Sequence, residues 1–145
     1  VGLTETFKEL MKGYKPEKRL DLLFESLCSS TNFEANVIQE ISKKSRNEFR
    51  DKSSKDILKL LSEKSNQKIY PSRMLNLGIY LLISDSQDFQ EKNETEKNKI
   101  ISDIFEKLNL SIDKAEKDIG IYKSSITKME QAKELIQELK IKDKK

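Results

Sequence analysis

Twelve residues from Asp85 to Glu96 join two apolar segments, with Asp first and Glu last, the length and ends of a calcium-binding loop. The interior does not follow. Such a loop needs Gly at its sixth position, where Gln90 stands, and an oxygen side chain at its fifth, where Phe89 stands. Asp85 with Asp88, and Glu130 with Glu134, are carboxylate pairs of the kind that share acid/base work. In a chain that is 37% charged, such pairs arise from composition, and on a helix they read as solvated faces. The single cysteine, Cys28, lies beside Leu27 in an apolar run and reads as a buried structural thiol.

The chain has no His, which removes His general bases, Ser-His-Asp and Cys-His nucleophiles, and His metal ligands. One Cys forms neither an internal disulfide nor a multi-Cys zinc site. The glycines Gly2, Gly13, Gly78 and Gly120 are too scattered for a phosphate loop. No catalytic residue, metal site or cofactor is expected, and the chain reads as a non-enzyme. Basic and acidic residues number 28 and 25, a formal charge of +3, with the basic residues divided equally between residues 1–70 and 71–145. The one basic cluster is the tail: Lys140, Lys142, Lys144 and Lys145. A small helical nucleic-acid-binding module is therefore the alternative reading and not the leading one. The tail is a frayed, solvated end or a contact for an anionic membrane surface. No apolar run approaches the ~20 residues that span a bilayer.

These residues must be carried by helices. Hydrophobic spacing follows steps of three and four nearly throughout, predicting an all-α bundle of about six to seven helices. Thr6 and Glu9 have capping-box spacing, with Phe7, Leu10 and Met11 on one face and Gly13 as the stop. Pro16 opens a second helix with Leu20, Leu23, Phe24 and Leu27 inward. Asn32 is placed to cap a third, with Val37, Ile38, Ile41 and Phe49 as its face, and Ser53 with Asp56 begins a fourth. The fifth starts at Pro71 or Ser72, is apolar on most sides through Ile83, and reads as the central helix. Gly78 in its middle points to close helix–helix approach. Ser84 to Glu96 reads as a loop, followed by a helix through Leu108. The last helix begins near Asp113 and reaches about Lys140, with Ala115, Ile119, Tyr122, Ile126, Met129 and Ile136 in coiled-coil-like steps. Residues 1–111 are thus expected to form the bundle, and 112–145 a long C-terminal helix with a basic tail, packed on the bundle or protruding from it as part of one domain.

Three blocks carry a family resemblance. The first is Phe7-x-x-x-Met11-x-Gly13-Tyr14-x-Pro16, followed by Leu23-Phe24 and Leu27-Cys28. The second is Tyr70-Pro71-Ser72-Arg73-x-x-x-Leu77-Gly78-x-Tyr80-x-Leu82. The third runs Leu108-Asn109-Leu110, Lys117-Asp118-x-x-x-Tyr122-x-Ser124, then Lys128-Met129-x-Gln131-Ala132. In that order they resemble the thylakoid formation family, also described as an accessory factor of photosystem II biogenesis. The resemblance spans nearly the whole chain but only the later part of the family's sequence. Further N-terminal helices are expected before Val1, with residues 1–8 as the middle of one. Gly120 departs from the family, which has a larger residue there.

The resemblance implies a non-catalytic, all-helical protein of a cyanobacterium or chloroplast, at the thylakoid membrane periphery on the cytoplasmic or stromal side. It implies a role in thylakoid biogenesis and photosystem II assembly and repair, with the FtsH protease complex and photosystem II assembly components as partners. The motif residues Gly13, Tyr14, Pro16, Tyr70, Arg73, Gly78, Tyr80, Tyr122 and Met129 are expected to be structural. Lys123 and Lys128, on the long helix, are the expected partner surface.

Overall fold

The computed structural model describes residues 1–12, 19–30, 32, 34–64 and 70–144. Among the described residues eight helices follow one another: α1 (Gly2–Leu10), α2 (Leu20–Ser30), α3 (Ala35–Phe49), α4 (Ser54–Lys64), α5 (Arg73–Ser84), α6 (Gln87–Gln90), α7 (Glu94–Lys107) and α8 (Ile112–Lys142). The all-α bundle with a long final helix matches the expectation. Its extra member is α6, a single turn inside the stretch read as a loop. The short sequence Gln87–Gln90 buries Phe89, and that one anchor suffices to hold a turn too brief for a periodic signal.

Helix α5 is central. It packs against α1, α4, α6 and α8, and buries Asn76, Leu77, Gly78, Ile79, Leu82 and Ile83. Ser72 caps it by accepting from the Leu75 N–H at 3.1 Å. The core joins α5 to Phe49, Ile57, Phe89, Ile101, Ile104, Phe105, Ala115 and Ile119 from five other helices. Burying side chains such as Ile83 and Phe105 contributes about 1.5–3 kcal/mol each, the main stabilisation a bundle has. Phe24 and Cys28 are buried on α2, where Phe24 meets Phe7 of α1 with ring centroids 5.1 Å apart.

Two helix starts differ from expectation. Thr6 is not a cap: α1 is already helical from Gly2, and Thr6 lies buried in its middle. Asn32 does not begin α3, whose N-cap is Glu34. It follows α2 with φ 58°, and its N–H reaches the Ser29 carbonyl, so it closes the helix before it. Asn tolerates the left-handed region that such closures use, and the same composition serves either end. Leu23, Leu27, Val37 and Ile41 are exposed and not inward. Gly13, Tyr14 and Pro16 lie outside the described residues.

Candidate interaction surface and the seam that carries it

Of the described motif residues, Arg73, Tyr80 and Tyr122 lie along the seam between α5 and α8, Gly78 faces α1, and Tyr70 is exposed ahead of α5. Gly78 faces Gly2 of α1: a Cβ on Gly78 would stand 3.1 Å from the Gly2 nitrogen. One on Gly2 would collide with the Met74 carbonyl oxygen and lie 2.9 Å from the Gly78 nitrogen. The close approach expected at Gly78 is therefore real, and its partner Gly2 carried no signal beyond being glycine. Gly120, by contrast, faces open space.

Asp118 of α8 holds the other side of α5. It accepts from Arg73 Nε at 3.2 Å and from Asn76 Nδ2 at 2.9 Å. Asn76 is buried, so this carboxylate satisfies an amide that would otherwise be stranded. One turn on, the Lys123 ammonium lies 5.4 Å from the centre of the Tyr80 ring. Tyr122 is half-buried against the core, and burial raises its pKa, with the nearby Glu9 adding to the shift. Leu108-Asn109-Leu110 is a helix stop. Asn109 has φ 55°, the Leu110 N–H reaches Phe105, the Asn109 N–H reaches Glu106, and both leucines are buried.

The loop carboxylates are spent on structure. Asp85 accepts from Arg46, through Nε at 3.0 Å and through Nη2, while Arg46 Nη1 meets Glu5 at 2.7 Å. Burial alone would lower the Arg46 pKa, but its hydrogen bond and charge pairing with Asp85, then Glu5, raise it. Asp88 accepts from the Ser54 N–H at 2.9 Å and the Ser54 hydroxyl at 2.6 Å, capping α4 from another element. Burial pushes the Asp88 carboxyl up, and these bonds outweigh it, holding it below its ordinary value. Among the described residues no group of three acidic or thiol side chains is arranged to hold a metal ion.

Helix α8 changes character along its length. Ala115 and Ile119 are buried and Tyr122 packs on the core, whereas Leu135 is 58% exposed, Leu139 53% and Ile141 60%, with Ile136 beside them. Leu135, Ile136 and Leu139 share one side of the helix, and nothing in the described structure covers it. Met129 is half-buried, and Lys128 is exposed just before this stripe. Sequence spacing marked Ile136 alone, as a packing position. Leu139, three residues after Ile136, continues the series, and Leu135 and Ile141 fall outside it.

The thylakoid formation protein family matches residues 1–145, the whole chain. The chain belongs to the thylakoid formation family. Protein Thf1 of Prochlorococcus marinus strain MIT 9312 is 81% identical over 145 residues, which are 100% of this chain and 72% of that protein. Protein Thf1 of Prochlorococcus marinus subsp. pastoris is 67% identical, with the same coverage of both chains. The solved structure of Psb29 has a TM-score of 0.77 and 23% identity, covering 99% of this chain and 72% of that one. That likeness shows the fold. Membership ties this thylakoid formation protein to the building of thylakoids, in an accessory family that is not a known enzyme family. No helix among its described residues is long and apolar enough to cross a membrane.

Proposed function

We propose that this protein is a non-catalytic accessory factor in thylakoid membrane biogenesis and photosystem II assembly and repair, which binds and stabilises the FtsH protease complex. It works at the membrane periphery, on the cytoplasmic side in a cyanobacterium, with photosystem II assembly components as further partners. Residues 1–111 are the rigid body and 112–145 the contact arm. The observation that carries this reading is the exposed stripe of Leu135, Ile136 and Leu139 on the distal part of α8. A solvent-facing row of large apolar residues on a helix fits a groove or a partner helix. Lys128 borders the row and Lys123 lies further back, against Tyr80.

The test is affinity capture from solubilised cyanobacterial thylakoids, with the bound proteins quantified by mass spectrometry. Enrichment of FtsH subunits is expected, falling at least tenfold for Leu135→Asp with Leu139→Asp while circular dichroism retains the helical signal. Lys128→Glu is expected to weaken capture less. Equal capture by the double variant would move the interface off α8, and no enrichment by the parent chain would overturn the FtsH reading.

A further inference from the structure

A second surface lies away from that arm, between α1 and α3. It is a cleft of about 620 Å³ whose walls include Lys8 from α1, Lys43 and Arg46 from α3, and Arg50 at the C-cap of α3. The α3 cations recur at steps of three and four, so they share one face of the helix. Like charges so placed repel one another unless an anion neutralises them. Two have partners: Arg46 is clamped by Glu5 and Asp85, and Lys8 pairs with Glu5 at 3.3 Å. Glu5 is the acidic residue of the cleft wall, and both of its cations draw on it. Lys43 and Arg50 make no ion pair among the described residues. The clamp fixes the Arg46 guanidinium in place, which lowers the entropy lost when a ligand binds beside it. Thr4, 3% exposed, also lines the cleft, and its hydroxyl, like that of Thr6 outside it, has no hydrogen-bond partner among the described residues. A buried hydroxyl without a partner is rare in a settled core and common where a ligand completes the site.

We infer that this cleft is a binding site for a phosphate-class oxyanion, carried by a soluble metabolite or by a lipid headgroup. Lys43 and Arg50 supply free charge, Arg46 the N–H donors that Asp85 and Glu5 leave over, and the Thr4 hydroxyl a further donor. The inference is independent of the arm and of any protease.

The experiment titrates the full chain with inorganic phosphate and with glycerol 3-phosphate at constant ionic strength. In parallel it measures co-sedimentation with phosphatidylcholine vesicles containing phosphatidylglycerol. Saturable binding is expected, with amide shifts at Thr4, Lys43 and Arg50. Lys43→Gln with Arg50→Gln should weaken binding at least tenfold, whereas Lys55→Gln with Lys99→Gln, on a different face, should not. Thr4→Val should weaken it less. Binding to the soluble phosphates assigns a metabolite, and binding to vesicles alone, lost in the same double variant, assigns a headgroup. No saturable binding in either arm, or binding that the Lys43/Arg50 variant leaves unchanged, would overturn the site.

Discussion

Single atoms decide several positions. At Gly2 there is no room for a methyl group against the α5 backbone. Gly2→Ala is therefore expected to lower the free energy of unfolding by about 1–3 kcal/mol in urea titration, because backbone, unlike a side chain, has no alternative rotamer. Gly120→Ala should act in the opposite direction. Its site is open and mid-helix, so it should gain about 1 kcal/mol, the helix-propensity difference between the two residues. A loss there would mean that the exposed face of α8 is in contact with something in solution. At Asp118, substitution by Ala strands the buried Asn76 amide and should destabilise by about 1–3 kcal/mol. Making Asn76→Ala in the same background should remove most of that penalty, which a double-mutant cycle measures.

Local N-caps hold α5, α7 and α8, and at α4 a residue from another element joins in. Asp88, from the short α6, caps α4, and its carboxyl is held below its ordinary value of 3.8. A folded pKa below the unfolded one means stability that is present above the unfolded value and lost as pH falls through the folded one. The stability difference between the parent chain and Asp88→Asn is accordingly expected to be largest near neutrality and to shrink below about pH 4. A difference constant from pH 7 to pH 3 would show that the ionised carboxylate is not what caps α4. The same residue shows how a sequence pattern misleads. Asp85 and Asp88 read as a carboxylate pair for acid/base work, yet each is already committed, one to Arg46 and the other to Ser54.

The whole molecule divides its final helix between support and display. The described core contacts of α8 end at Tyr122, and the large apolar residues from Leu135 onward face outward. Removing residues after Gln131 is thus expected to shorten the helix while shifting the thermal midpoint by no more than a few degrees. Circular dichroism should record the lost helix, and calorimetry the intact transition. A collapse of the transition would show that the distal half packs on the bundle. FtsH capture, by contrast, should disappear with the same truncation.

Local signals were enough for much of this. The three-and-four apolar steps determined that the chain is helical, where α4, α5, α7 and α8 lie, and that α5 is the most enclosed. Periodicity records which face of a segment avoids water, and that is a property of neighbours in sequence. The three motif blocks, in order, identified the family. The tertiary structure alone decided what Asn32 does, that Gly2 is the partner of Gly78, that Asp118 serves Arg73 and Asn76, and that Leu23, Leu27, Val37 and Ile41 stay outside. Apart from the local closure at Asn32, each of these depends on a residue far along the chain. Composition and spacing carry no record of which distant backbone or charge will arrive, so a cap, a close approach or an ion pair across elements becomes visible only when the helices are packed.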